Sequence, residues 1–183
     1  MKFSYIVEIG GDIIMESYTL NQYIITKNDN NTLKLDIYRK AELNGVSIYD
    51  NEIEAIMWIM QQYFFMGDLT VEYIYVVAYD VNNWLKGIYL VSIGDDNHVK
   101  SFPREIMTFL MLINAESFLL VHNHPNNGLG ISRSDEEQYE YFYKLSEMIK
   151  INFKGSYAMT KDGWINVLTK ERNYFVDLEE KEE

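Results

Sequence analysis

The spacing of apolar residues changes once along the chain, near residue 50. Before that point apolar and polar residues alternate, and the alternation predicts β-strands at residues 3–9, 13–26 and 33–39. These strands form either a small antiparallel unit or a β-extension of a larger sheet. The alternation fits both arrangements.

After residue 50 the apolar spacing becomes helical, beginning with a helix over residues 53–64 that Asp50 or Asn51 would cap. Two further helices are predicted, one opened by Ser101 and Pro103 and one behind Ser132. The strands predicted between and after these helices cover residues 72–80, 87–93, 117–121, 152–159 and 164–168. The resulting order, α-β-β-α-β-α-β-β, predicts a mixed α/β sheet with flanking helices.

The length of 183 residues suits one compact domain with an appendage. We predict a β-rich extension or small subdomain at residues 1–49, a main domain at residues 50–170 and a disordered tail at residues 171–183. The tail is predicted because residues 177–183 contain five acidic residues and one lysine.

Composition narrows the class of protein. The net charge of −12 argues against a protein that binds the nucleic-acid backbone, since such proteins normally carry basic stripes. No apolar run approaches the roughly 20 residues needed to cross a membrane, and the first residues lack a signal-peptide pattern. We therefore expect a cytoplasmic protein without a membrane partner.

The most specific chemistry lies in His122-Asn123-His124-Pro125, which holds two of the three histidines of the chain. Alternate side chains of a strand share a face, roughly 7 Å apart along its rise, so both imidazoles can converge on one ion. Asp135 can supply a third ligand, because the short, turn-rich segment at residues 125–131 can fold back. Ser132 has the type and position of the N-cap of the helix that carries Asp135.

Three ligands of this kind leave the fourth position of a tetrahedral zinc site open, as in catalytic zinc sites. The chain has no cysteine, so a zinc ion must be held by histidine and carboxylate. The expected cofactor is one zinc ion per chain, although iron or manganese also suits these donors.

The spacing from His122 and His124 to Ser132 and Asp135 resembles the metal-binding signature of the JAMM/MPN metalloprotease superfamily, and residues 122–125 are similar to its RadC-like JAB-domain branch. The resemblance covers about residues 51–150. It implies a cytidine-deaminase-like mixed sheet flanked by helices. The chain departs from the branch in the loop at residues 126–131 and lacks its downstream Asp-His strand.

The resemblance also implies roles for individual residues. His122, His124 and Asp135 would be metal ligands, Glu72 the general acid/base, and Ser132 a hydrogen-bond donor to the developing oxyanion. Each has a simpler structural reading. Ser132 could serve only as a helix cap, and Glu72 could be a solvated strand end, with two competitors for its role, Glu105 and Glu116.

The function implied is a zinc-dependent hydrolase that cleaves amide bonds, peptide or isopeptide, in a protein or peptide substrate. The alternative is a protein-binding module on a JAMM-like scaffold whose metal site is structural or idle. A metal-dependent DNA-processing protein is a weaker third hypothesis. Asn123 is predicted to be structural, His98 to lie in a surface loop, and a homodimer formed through the N-terminal strands stays open.

Overall fold

A computed structural model describes residues 18–43, 52–94 and 103–175, which form eight strands and three α-helices. The helices are α1 (Glu52–Phe64), α2 (Pro103–Leu112) and α3 (Arg133–Ile149), and a short 3-10 turn covers Met66–Asp68. The strands are β1 (Tyr18–Lys27), β2 (Leu33–Leu43), β3 (Tyr73–Tyr79), β4 (Leu85–Ile93), β5 (Ser117–Asn123), β6 (Asn152–Met159), β7 (Gly163–Asn166) and β8 (Arg172–Tyr174).

The strands form one mixed sheet in the order β2-β1-β4-β3-β5-β6-β7-β8. β3 lies antiparallel to both β4 and β5, whereas β5 and β6 are parallel. Every residue of β5 is buried, as expected for a strand with helices on both sides of the sheet. The predicted mixed α/β sheet with flanking helices is confirmed.

Alternate residues of the central strands serve two separate cores. Tyr75, Val77, Leu119 and Val121 pack with the apolar face of α1 on one side of the sheet. The intervening residues of β3 and β5 pack on the other side with residues of α2 and α3, namely Ile74, Val76, Ala78, Phe118 and Leu120. His122 follows Leu120 in this alternation and therefore faces the side that α3 covers.

The N-terminal strands extend the main sheet. β1 and β2 form an antiparallel hairpin, and β1 runs parallel to β4 through the pairs Gln22 with Ile88 and Tyr23 with Tyr89. Of the two arrangements that the alternation allowed, the described residues therefore adopt the extension. The strand expected at residues 3–9 lies outside the described residues, and the three-segment division of the chain stays a prediction.

The end of the chain differs from the prediction in two places. Residues 172–174, assigned to the tail, form β8 and pair with β7, while residues 176–183 lie outside the described part. β7 also ends at Asn166, because the Asn166 side chain accepts hydrogen bonds from the Leu168 and Thr169 amides and turns the chain there. The candidate caps Asp50, Asn51 and Ser101, and His98, lie outside the described residues.

The length and polarity of the described helices bear on whether any of them could cross a membrane. The longest, α3, has 17 residues and carries charged residues along its exposed side. In the described residues, none of the helices combines the length and the apolarity that crossing a membrane requires.

Candidate metal centre

His122 and His124 lie at the end of β5, where the strand leaves the buried core. His122 pairs with Ile74 of β3 and is 2% exposed. The His124 amide donates to the Met159 carbonyl of β6 at 2.7 Å, which fixes the backbone beyond the strand end. The two imidazoles meet with their Nε2 atoms 3.0 Å apart.

The chain then reverses through a loop whose geometry follows from its asparagines. The Asn127 amide donates to the His124 carbonyl at 3.1 Å, and Asn127 has a φ of 57°, a left-handed conformation that asparagine tolerates well. Its side-chain oxygen accepts from the Lys161 amide at 3.1 Å and so ties the loop to the turn between β6 and β7. The loop thereby brings the start of α3 next to the end of β5.

Ser132 is the N-cap of α3, as the sequence predicted. Its hydroxyl accepts from the Asp135 amide at 3.2 Å, and the Asp135 carboxylate accepts from the Ser132 amide at 2.8 Å, so the pair forms a capping box. The Ser132 hydroxyl also donates to Oδ2 of Asp135 at 2.7 Å. These contacts fix the direction of the carboxylate at the first turn of the helix.

The three side chains converge as the sequence predicted. The Nε2 atom of His122 lies 3.1 Å from Oδ1 of Asp135, and that of His124 lies 3.8 Å from Oδ2. One ligand atom from each residue lies within 4.8 Å of the others. A tetrahedral site with bonds of about 2.0 Å has ligand atoms about 3.3 Å apart, so the spacing of these residues suits a metal ion bound at such distances.

The hydrogen bonding of the histidines also suits a cation. Nδ1 of His124 lies 2.8 Å from the Gly128 carbonyl, which can only accept, so we assign the proton to Nδ1. The Nε2 lone pair of His124 then points at His122 and Asp135. A backbone carbonyl that holds the outer nitrogen is a frequent companion of metal-bound histidine. For Nδ1 of His122, which is buried, the described part of the chain offers no hydrogen-bond partner.

The electrostatics of His124 and Asp135 favour the forms in which these two residues bind a metal. Burial and the neighbouring His122 lower the pKa of His124, against smaller opposing effects of Gly128, Asp135 and Glu72. Burial alone would raise the pKa of Asp135, but its hydrogen bonds and its attraction to His122 outweigh burial and lower that pKa. A neutral imidazole beside a carboxylate anion is the state that a divalent ion requires.

Glu72 lies directly before β3, near His124. The β3–β5 ladder ends at the pair of Ile74 with His122, and Glu72 and His124 each lie two residues beyond that pair. The charge of Glu72 raises the pKa of His124, so the two residues are within electrostatic reach. Glu72 does not belong to the group within 4.8 Å, and its role as acid/base stays a prediction.

The two competing glutamates occupy other places. Glu105 hydrogen-bonds Tyr89 of β4. Glu116 directly precedes β5, at the end opposite the histidines, and its amide donates to the Tyr79 carbonyl at 2.9 Å. Eight residues of extended chain separate Glu116 from His124 by about 26 Å. Among the three glutamates, the geometry favours Glu72.

Two residues that support the candidate centre, Gly128 and Asn123, could hardly be identified from the sequence. The Gly128 carbonyl is a backbone group, so no residue type identifies it. Asn123 was predicted to be structural, and its amide indeed hydrogen-bonds the backbone on both sides of Glu72. Its position between the two histidines was the one available hint.

Comparison with known proteins gives a family match. Residues 49–172 match the sequence family described as the RadC-like JAB domain. The matched range contains Glu72, both histidines of the centre, Ser132 and Asp135.

Two individual relatives show how similar this chain is to other proteins. A UPF0758 protein of Histophilus somni (strain 2336) is 32% identical over 81 residues, which are 40% of this chain and 36% of the relative. A UPF0758 protein of Chlorobium chlorochromatii is 27% identical over 128 residues, 67% of this chain and 58% of the relative. The chain therefore spans less than two thirds of the length of these relatives.

Proposed function

The chain belongs to the RadC-like JAB domain family, and on that premise we propose that it is a zinc-dependent hydrolase of peptide or isopeptide bonds. One observation carries the proposal. Two imidazole nitrogens and a carboxylate converge at 3.0, 3.1 and 3.8 Å where β5 ends and α3 begins. The proposed substrate is a protein or peptide, and the proposed location is the cytoplasm.

His122, His124 and Asp135 would hold one zinc ion per chain. When bound, the ion would supply Lewis acidity, which makes water nucleophilic near neutral pH and polarises a carbonyl group. The chain prepares these ligands in advance, since Gly128 fixes the His124 ring and Ser132 fixes the Asp135 carboxylate. Pre-oriented ligands lower the cost of assembling the site.

Glu72 and Ser132 would act on the substrate. Glu72 takes a proton from the attacking water as the new C–O bond forms, and delivers it to the amine nitrogen as the C–N bond breaks. The Ser132 hydroxyl would donate to the carbonyl oxygen as charge develops there. That hydroxyl now donates to Asp135, so the oxyanion role requires it to rotate during the reaction.

Metal analysis tests the first half of the proposal. Protein purified without a histidine tag should contain about one zinc ion per chain by elemental mass spectrometry. His124→Ala and Asp135→Ala should lose the metal, while His98→Ala, a change of the third histidine, should keep it. A wild-type chain without stoichiometric metal would contradict the zinc-enzyme proposal.

Hydrolysis tests the second half. The zinc-loaded chain is incubated with a mixture of linear and lysine-branched peptides, and new termini are identified by mass spectrometry. We expect Glu72→Gln to keep zinc and to lower turnover by about 10²- to 10⁴-fold, the range typical of general acid–base groups. Glu116→Gln is the matched control and should retain full turnover.

Two other outcomes are informative. Unchanged turnover in Glu72→Gln would assign proton transfer to another group. Stoichiometric zinc without cleavage of any peptide would favour the second hypothesis, a protein-binding module with an idle metal site.

A further inference from the structure

Asn123, the residue between the two histidines, forms hydrogen bonds through both the oxygen and the nitrogen of its side-chain amide. It is 1% exposed, and its amide reaches a segment of chain about fifty residues earlier. Its oxygen accepts from the Tyr73 amide at 2.7 Å, and its nitrogen donates to the Val71 carbonyl at 3.0 Å. The two backbone partners flank Glu72 on either side.

These contacts replace a missing part of the sheet. The β3–β5 ladder ends at the pair of Ile74 with His122, and beyond it the His124 amide bonds to Met159 of β6. Beyond this ladder end, the Tyr73 amide and the Val71 carbonyl bond to the Asn123 side chain. A primary amide offers the same donor and acceptor as a peptide group, so Asn123 can bridge this gap without leaving buried groups unpaired.

Glu72 is held on its other side as well. Its carbonyl accepts from the Gly94 amide at 2.7 Å, next to the end of β4. The two hydrogen bonds of Asn123 and that of Gly94 therefore hold the backbone from Val71 to Tyr73, next to the pairing of Tyr73 with Ile93 in the β3–β4 ladder. By the alternation of side chains from Ile74, which pairs with His122, Glu72 belongs to the face of the sheet that carries His122.

We infer that Asn123 is a positioning residue that holds Glu72 beside the metal centre. The inference rests on the proposed function, because it gives Glu72 a task that depends on its position. An asparagine that served only to satisfy buried backbone groups would affect stability and leave the environment of the metal unchanged. That difference makes the two roles separable.

The first experiment measures the tether itself in metal-free protein. Asn123→Leu keeps the branching of the side chain at Cγ and removes both hydrogen bonds. By NMR hydrogen exchange, we expect the Tyr73 and Gly94 amides to exchange at least about 10-fold faster than in the wild type. The Tyr73 amide loses its hydrogen bond to Asn123. The Gly94 amide bonds to the Glu72 carbonyl, which Asn123 would no longer hold in place. The Val77 amide, in the middle of β3, should accelerate less, and only as far as the loss of global stability requires.

The second experiment reads the metal environment without a substrate. Cobalt(II) replaces zinc, and visible absorption spectra are compared among the wild type, Asn123→Leu, Glu72→Gln and the control Leu119→Ala. Leu119→Ala removes a buried side chain from the same strand and no hydrogen bond. We expect Asn123→Leu to change the spectrum in the same direction as Glu72→Gln, while Leu119→Ala matches the wild type.

The third experiment separates the effect of the substitution on kcat from its effect on KM. Asn123→Leu should lower kcat about 10- to 100-fold, keep KM within about twofold and retain one zinc ion per chain. Added to Glu72→Gln, it should cause no further loss, because its effect acts through Glu72. Asn123→Ala, with the same readouts, replaces Asn123→Leu if the latter fails to fold.

A wild-type cobalt spectrum in the Asn123 variant, or losses that multiply in the double variant, would overturn the inference while the proposed function stands. A wild-type chain that binds no metal or cleaves nothing would instead overturn the proposed function, and the positioning role with it. The two failures are therefore distinguishable.

Discussion

At the scale of single residues, Ser132 links the fold to the candidate centre. Its type and spacing predicted a helix cap, and the capping box confirms that prediction. The same hydroxyl donates to Oδ2 of Asp135, the carboxylate that faces both histidines. A residue that starts α3 thus also orients a candidate ligand.

Replacing Ser132 should therefore affect stability and metal affinity together. We expect Ser132→Ala to lower the free energy of unfolding of the metal-free chain by about 1 kcal/mol, the usual value of an N-cap. Zinc affinity should fall by about 10-fold or more, as when a partner that orients a metal ligand is removed. Urea unfolding and competition with a chelator measure the two effects.

Ser132→Thr supplies the control, because threonine keeps the hydroxyl and should preserve both properties. Wild-type zinc affinity in Ser132→Ala, combined with lost peptide hydrolysis, would contradict the ligand-orienting role. That result would favour the oxyanion role instead.

At the scale of elements, strongly periodic segments were predictable and non-local pairing was not. The apolar spacing located α1, and the uninterrupted apolar run located β5, because each element buries a continuous face. β8 was missed, since three residues with the pattern Arg-Asn-Tyr show no alternation and pair only because β7 lies beside them.

Within the candidate centre, too, the residues with a specific local pattern were predictable and those that act through distant contacts were not. Histidine and aspartate at ligand spacing are specific, so the three converging residues could be found from the sequence. Gly128 acts through its carbonyl and Asn123 through contacts made fifty residues away, and neither leaves a local pattern.

Strand β3 provides a prediction about pH. Tyr75 is 6% exposed and packs edge-on against Phe64 of α1, with ring centroids 5.1 Å apart. Burial, with a smaller effect of the neighbouring Tyr73, raises the pKa of Tyr75 to about 12. Because the folded chain favours the neutral phenol, the stability that Tyr75 contributes is complete below pH about 10 and is lost as the pH rises toward about 12.

Urea unfolding at several pH values between 9 and 12 tests this assignment. The wild type should lose on the order of 2 kcal/mol more stability across this range than Tyr75→Phe, which has no phenol to ionise. Tyr174→Phe, at a side chain that is 61% exposed, should follow the wild-type profile. Parallel profiles for the wild type and Tyr75→Phe would refute the assignment.

At the scale of the whole molecule, the N-terminal hairpin joins the part of the chain that carries the candidate metal centre through strand pairing and shared core packing. The sequence left open whether the hairpin stands apart, because parallel pairing of β1 with β4 brings together residues more than sixty positions apart. Two register pairs make the junction, Gln22 with Ile88 and Tyr23 with Tyr89. The Tyr23 ring also lies 6.3 Å from that of Phe109 in α2, so the hairpin and main domain share a core.

Gly87 of β4 determines how closely the two parts approach. A Cβ atom at Gly87 would come within 3.0 Å of two carbons of the Tyr23 ring, so alanine there must displace the ring or separate the strands. We expect Gly87→Ala to lower the free energy of unfolding by about 1–3 kcal/mol, the usual cost of overpacking. Gly130→Ala is the control, since nothing lies within 4 Å of its added Cβ, and it should stay within about 0.5 kcal/mol of the wild type.

The same variant shows whether hairpin and main domain unfold as a unit. Since the shared core couples them, urea transitions followed by tryptophan fluorescence and by circular dichroism should coincide in the wild type and shift together in Gly87→Ala. Zinc binding, at the far side of β3, should be unchanged in the folded variant. Two separate transitions, or wild-type stability in Gly87→Ala, would mean that the hairpin is energetically independent of the sheet it extends.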